Sequence, residues 1–241
     1  MRRRFFVEQF ESGHAQLRGE AAEHLGRVLR AQPGQQYELS DGREVWLAQI
    51  ETASKSSIEF ALVEQLPAQV ARLHTTLLLS IVKFDRFEWC LEKATELGVA
   101  HIAPVAAERS EKGLIAAATK RSERWRKILL ESAQQARRVA VPILGEPAAA
   151  AEACAAIAPA ALRVLLSEQE SAPSLRRVLQ GATAQMAALA IGPEGGWTER
   201  EFSAFTAAGF HAASLGGNIL RTETAVIAAL AAVNYALGEE S

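Results

Sequence analysis

The sequence predicts two domains: a small β-barrel followed by an α/β domain built on a mostly parallel sheet. Three observations carry this. The stretch to about residue 66 reads as short strands, with one helical segment among them. From residue 73 onward, apolar strands alternate with helical stripes, the pattern of a sheet covered on both faces. Two glycine-rich turns near the C-terminal end each join a strand to a helix, where α/β sheets hold ligands. The 241 residues suffice for a small domain plus a medium one. We place the domains at residues 1–68 and 73–241, with Pro67-Ala68-Gln69 as linker.

In the first domain, residues 4–8 are apolar and β-prone. Residues 20–29 read as a helix, with Ala21, Leu25, Val28 and Leu29 at three- and four-residue steps and Pro33-Gly34 ending it. Strands follow at 37–39, 45–50 and 57–62, with Asp41-Gly42 as a hairpin signal. Several short strands on one core suggest a small barrel of a kind that often binds RNA.

In the second domain, residues 73–82 form a continuous apolar strand. Phe84, Phe87, Cys90, Leu91, Ala94 and Leu97 make one helical stripe that Gly98 ends. Strands are expected at 99–106, 162–166, 187–191 and 212–215, and helices at 119–138, 148–157, 198–208 and 222–237. Thr198 and Glu201 have capping-box spacing. The last helix is apolar nearly all round, so it must be covered on more than one side. A subunit interface and a deep single-chain core both satisfy that.

Net charge is −2, which argues weakly against a nucleic-acid binder, but the distribution is uneven. Residues 1–30 carry Arg2, Arg3, Arg4, Arg18, Arg27 and Arg30 against four glutamates. Residues 119–138 carry seven basic side chains, Arg137 and Arg138 among them, against Glu123 and Glu131. Two basic surfaces are possible, but from charge alone solvated helix faces are the favoured reading, because charge runs are usually soluble surface. Glu88, Glu92 and Glu96 form a carboxylate ladder that reads as a solvated face. No run of eighteen apolar residues suggests a membrane span, and the apolar stretch near Met1 is too short for a signal peptide, so a cytoplasmic protein is expected. Cys90 and Cys154 have no metal spacing, and His14, His24, His74, His101 and His211 are scattered. We therefore expect no metal site.

The loop Gly192-Pro193-Glu194-Gly195-Gly196 follows a buried strand and precedes the capped helix. Its glycines expose backbone amides to a flat or anionic ligand, or simply make a tight turn. It is neither a Walker loop nor a dinucleotide fingerprint. The second turn is Leu215-Gly216-Gly217-Asn218-Ile219-Leu220-Arg221-Thr222-Glu223-Thr224. Thr222 is expected to cap the last helix and Glu223 to favour its positive end. Capping does not explain Arg221, which suits an oxyanion. Two such turns at neighbouring strand ends argue for a pocket.

Ile191 to Trp197, with Leu215-Gly216 and Ile219-Leu220-Arg221-Thr222-Glu223-Thr224-Ala225, resemble the RsmE family of bacterial small-subunit ribosomal RNA methyltransferases, within the SPOUT superfamily. His24-Leu25-Gly26-Arg27-Val28-Leu29-Arg30 with Pro33-Gly34 resemble its PUA-like RNA-binding domain, and Glu92 to Val99 and Glu108-Arg109-Ser110 its central region. The chain departs from the family pattern at Gly217-Asn218, at Phe84 after Lys83, and at residues 137–142.

The resemblance implies an α/β domain with a deep trefoil knot, a homodimer, and transfer of methyl from S-adenosylmethionine to N3 of one uridine in 16S ribosomal RNA or the 30S subunit. It implies donor contacts from Leu166, Ser167, Gly192, Pro193, Glu194, Gly195, Gly196, Leu215, Gly216, Ile219, Leu220, Thr222, Thr224 and Ala225. On that chemistry Arg221 is expected to stabilise the deprotonated base, with Glu194 or Glu223 as proton acceptor. RNA contacts are expected from Arg2, Arg4, Arg27, Arg30, Arg137 and Arg138. Two rivals stay open: an inactive RNA-binding assembly factor of the same fold, and an enzyme of phosphorylated small molecules.

Overall fold

A computed structural model describes residues 4–28, 30–54, 56–68, 72–159 and 161–238. The described chain forms two compact units. The first comprises Met1–Val70 with Ala133–Val141, and the second Ala71–Ser132 with Pro142–Ser241.

The first unit is a curled six-stranded sheet. Its strands are β1 (Arg4–Phe6), β2 (Phe10–Glu11), β3 (His14–Arg18), β4 (Gln36–Ser40), β5 (Val45–Ala53) and β6 (Ser57–Leu66). They lie in the order β1-β4-β5-β6-β3-β2. All neighbours are antiparallel except β1 and β4. Phe5, Leu17, Leu25, Leu39, Ile50, Ile58 and Phe60 are buried together as its core. The Asp41-Gly42 signal is realised as the β4–β5 turn. Gly42 takes φ +91, and Asp41 Oδ1 accepts the amides of Arg43 (2.9 Å) and Glu44 (2.8 Å). Strands β2 and β3 escaped the sequence reading. They are short and meet at Ser12-Gly13, both at positive φ (47 and 83). The expected helix at 20–29 is instead α1 (Gly19–Glu23) and a π-helical turn over His24–Val28. Leu29 lies outside the described residues.

Residues 133–141 join this unit through a buried carboxylate. Register places Arg4 of β1 beside Glu38 of β4, and their side chains pair at 2.9 Å with 8% and 4% exposure. Arg137, itself at φ +53, pairs with the same carboxylate, and its carbonyl accepts from Arg4. Ser40 Oγ donates to the Val139 carbonyl (2.6 Å). Removing both arginines would leave the buried carboxylate uncompensated, at a cost of about 3–5 kcal/mol. This corrects the expectation that Arg4 faces RNA, since its guanidinium is turned inward to neutralise Glu38.

The second unit holds a parallel sheet of β7 (His74–Ser80), β8 (His101–Ala106), β9 (Ile143–Leu144), β10 (Ala148–Ala149), β11 (Leu162–Leu166), β12 (Met186–Ile191) and β13 (His211–Ala213). The order is β10-β8-β7-β12-β11-β13, with β9 also on β8. Strand β12 lies between β7 and β11 and is buried along nearly its whole length, as a parallel strand covered on both faces must be. The helices are α2 (Phe84–Glu96), α3 (Lys112–Gln135), α4 (Ala150–Ala155), α5 (Leu175–Leu179), α6 (Glu199–Ala207) and α7 (Thr222–Leu237). Helix α3 begins seven residues before the expected 119. The ring of Trp125 on α3 lies 4.5 Å from that of Phe87 on α2.

The carboxylate ladder on α2 is not a free solvated face. Glu88 is 13% exposed and pairs with Arg124 (2.8 Å) and Arg121 (3.6 Å), while Lys93 holds Glu92 and Glu96. Arg126 pairs with Glu146 (3.0 Å). The basic run on α3 is therefore partly neutralised. No described helix is long and apolar enough to cross a membrane. No cluster of three metal-ligating side chains occurs among the described residues.

His101 opens β8 half-buried, and burial holds its imidazole below the usual histidine range. Folding therefore favours its neutral form. The stability it contributes is complete above about pH 6.5 and is lost as pH falls through its lower folded value. Thermal melts across that range should show a smaller acid-side loss for His101→Gln than for the unchanged protein. Equal losses would refute this.

Candidate ligand site

The neighbouring strands β13, β11 and β12 end at Ala213, Leu166 and Ile191, and the loops beyond their carboxyl ends enclose a cavity of about 420 Å3. That size suits a small organic ligand. Leu166, Ser167, Gly192, Pro193, Glu194, Gly195, Gly196, Leu215, Gly216, Ile219, Leu220, Thr222 and Ala225 line it. Thr224 is exposed and not among the lining residues.

Each loop is held for a local reason. Gly196 takes φ +68, closing a turn in which its amide donates to the Pro193 carbonyl (2.8 Å). A Cβ on Gly192 would lie 3.2 Å from Trp197 Nε1, so the indole would have to give by a few tenths of an ångström to admit a side chain there. Helix α6 then starts with the expected capping box. Thr198 Oγ1 accepts from the Glu201 amide, and Glu201 Oε2 accepts from the Thr198 amide (2.9 Å). The other carboxylate oxygen, Oε1, accepts from the amide of Glu108 in the loop after β8 (2.8 Å). Glu201 is 4% exposed, so one buried carboxylate fixes two loops.

Thr222 is not the cap of α7, as expected from sequence. Arg221 occupies that position with an extended backbone and no side-chain capping bond. Thr222 is the first helical residue, and its Oγ1 donates to the Gly192 carbonyl (3.3 Å), tying the second glycine-rich turn to the first. Trp197 Nε1 is a buried donor on the cavity wall with no partner among the described residues. The amides of Leu215, Ile219 and Leu220 have no backbone acceptor among the described residues. Of these donors only Trp197 Nε1 is buried; Ile219 is 81% exposed and Leu215 and Leu220 are partly exposed, so their amides are open to a ligand or to water.

The three expected chemical residues separate. Glu194 lines the cavity and is held by Arg86 of α2 at 2.5 Å. Glu223 sits in the first turn of α7, with Oε2 buried and unpartnered among the described residues. Arg221 is exposed beside the lining residues Leu220 and Thr222 but does not line the cavity. Burial, with the nearby charges of Glu223 and Glu194, pushes the Cys90 thiol up to about 12, so it stays protonated.

Sequence reasoning missed Arg86, and it quoted Arg109 only within a family-like motif, with no role at the site. Arg109 Nη1 donates to the Gly195 carbonyl (2.7 Å) from the loop after β8. Its place just past a strand's carboxyl end was a usable signal; Arg86, within a helix, gave none. Of the arginines expected to meet RNA, Arg27 and Arg30 are exposed. Arg137 pairs with Glu38, Arg138 is partly buried, and Arg2 lies outside the described residues.

Residues 69–234 match the RNA methyltransferase domain family, and residues 17–63 match the RNA methyltransferase PUA domain. The fold and the site thus define an RNA methyltransferase domain class. Ribosomal RNA small subunit methyltransferase E of Synechocystis sp. is 34% identical over 218 residues, which cover 89% of this chain and 70% of that protein. The Bacillus subtilis protein of that name is 29% identical, with 96% of each chain covered. A crystal structure of the Neisseria gonorrhoeae enzyme of that name, bound to S-adenosylmethionine, has a TM-score of 0.89 at 31% identity over 100% of both chains. The chain belongs to the ribosomal RNA small subunit methyltransferase E family, with a PUA-like first domain and a SPOUT-type knotted α/β second domain.

The two glycine-rich turns should respond differently to substitution. Gly196→Ala puts a Cβ at positive φ and should cost about 1–2 kcal/mol in denaturant unfolding. Gly217 has ordinary φ and open space around a built Cβ, so Gly217→Ala should be neutral or slightly stabilising. Equal effects would contradict this picture of the turns.

Proposed function

We propose that this chain methylates N3 of a uridine in small-subunit ribosomal RNA, with S-adenosylmethionine held in the cavity at the ends of β11, β12 and β13. The observation that carries this is the cavity itself, lined by both glycine-rich turns at the ends of neighbouring parallel strands, in a chain of this family. When bound, the donor supplies an electrophilic methyl group on a sulfonium centre. The lining residues from the three loops hold it largely by backbone.

The charged lining residues are Arg109, Glu168 and Glu194. A site with two carboxylates and one cation is poorly built for a phosphorylated small molecule, which disfavours that rival. Uridine N3 carries a proton that must leave before attack. Of the two candidate carboxylates, Glu194 lines the cavity and takes the acceptor role; Glu223 complements the positive end of α7. Arg221, exposed at the rim, contacts the incoming nucleotide. N3 lies on the pairing edge, so the target base must enter unpaired.

The first domain supplies RNA affinity, with Arg27 and Arg30 as its exposed cations among the residues assigned to RNA. The protein works in the cytoplasm as a homodimer. Support for the dimer comes from α7, which buries Val226, Ala229, Leu230 and Val233 yet leaves Ala231 and Tyr235 exposed, Tyr235 by 94%.

An N3-methyl blocks base pairing, so reverse transcription across small-subunit RNA stops there. The stop should vanish in cells lacking this protein and return with the intact gene. Persistence of every stop would overturn the uridine N3 reading. Donor binding without any RNA methylation would favour the inactive assembly factor.

A further inference from the structure

Of the charged residues around the cavity, Arg109 is the best placed to act on a substrate anion, and neither the sequence nor the family motifs assigned it a role. It is the only cation among the described lining residues. Its loop is pinned, because the amide of Glu108 donates 2.8 Å to Glu201 Oε1 and the amide of Ser110 donates 3.0 Å to the Ala107 carbonyl. The side chain is pinned as well. Nη1 donates to the Gly195 carbonyl (2.7 Å), and a Cβ built on Gly195 would lie 3.4 Å from the aliphatic stem. That single bond leaves most of the guanidinium's five N–H donors unused.

Two of the neighbouring carboxylates pair with other arginines. Glu194 pairs with Arg86, and Glu108 with Arg200 (2.5 Å). No described carboxylate pairs with Arg109. Arg109 is exposed, and an arginine held at the edge of a cavity by one carbonyl, with no described carboxylate partner and most of its donors unused, can receive an oxyanion there.

We infer that Arg109 is a catalytic residue that donates to the uracil oxygen on which negative charge develops as N3 loses its proton. This rests on the methyl-transfer reading above. The step balances: N3–H breaks, its proton passes to the acceptor, and the electron pair left on the ring delocalises onto the carbonyl oxygens. N3 then forms the bond to carbon as the methyl–sulfur bond breaks, and the sulfur keeps that bond's electron pair. Both arginines are exposed, but Arg221 lies outside the lining and is the RNA contact, so the two should separate kinetically.

The test compares the unchanged protein with Arg109→Ala, Arg109→Lys and Arg221→Ala, using S-adenosylmethionine by calorimetry and methylation of purified 30S subunits. Arg109→Ala should keep donor affinity within a few-fold, which also reports a folded cavity, while kcat falls about 100-fold or more. The rise of kcat with pH should move up by about one unit or more, because the bound base has lost its stabilising cation. Arg109→Lys should recover part of the rate. Arg221→Ala should raise KM for the subunits more than it lowers kcat.

Three results would overturn the role. Donor affinity falling in step with rate would make Arg109 a ligand of the donor's carboxylate. A raised KM with an unmoved pH profile would make it a phosphate contact. Unchanged kinetics would make it structural. No methylation by the unchanged protein would overturn the reaction itself, a failure distinguishable from these three.

Discussion

The buried carboxylate of Glu201 is the constraint on which the site's geometry depends. It lies at the start of α6 and meets three donors: its own cap residue's amide, that residue's hydroxyl at 3.1 Å, and the amide of Glu108 in a loop that follows a different strand. Hydrogen bonds to a charged group contribute about 1.5–3 kcal/mol each, and here they are almost fully withdrawn from water. One side of this carboxylate sets where the Gly192 to Gly196 turn gives way to helix, and the other sets where Arg109 can reach. The Gly195 carbonyl and the Arg109 guanidinium meet because both of their loops are fastened to the same two oxygens. Thr222 closes the arrangement by donating to Gly192, so the second turn is set against the first.

Much of this was legible in the residues. The strand at Leu162–Leu166 and the helix at Thr222–Leu237 have the bounds the apolar patterns gave, and the Thr198/Glu201 spacing is a real capping box. Two glycine-rich turns at strand ends implied a pocket because backbone approach and strand polarity are local and topological facts. The second function of Glu201 was hidden, since its partner at Glu108 is 93 positions away. The cap of α7 was misread for a simpler reason. Thr222 is a good capping residue, but tertiary contact with Gly192 draws its hydroxyl away, and Arg221 takes the cap position without capping.

Charge was the least legible feature. A run of arginines near Met1 reads as a basic arm, yet Arg4 turns inward because β1 pairs with β4 in a register that puts Glu38 beside it. The basic stretch of α3 reads as a surface patch, yet α2 supplies Glu88 to two of its arginines. Composition counts charges but not their partners, and a buried or paired arginine offers RNA little. The same accounting singles out Arg109, whose one described bond is to a neutral carbonyl. The knot lay beyond residue-level physics altogether, because no local pattern encodes a threading, and only the family resemblance raised it.

The central claim is that the cavity at the ends of β11, β12 and β13 holds S-adenosylmethionine. A crystal structure of this protein grown with the donor tests it most directly. The account predicts one donor per chain in contact with Leu166, the Gly192 to Gly196 turn and the Leu215 to Leu220 loop, with acceptors placed on the Leu215, Ile219 and Leu220 amides. Donor density elsewhere on the chain, or a cavity left empty at saturating donor, would contradict it.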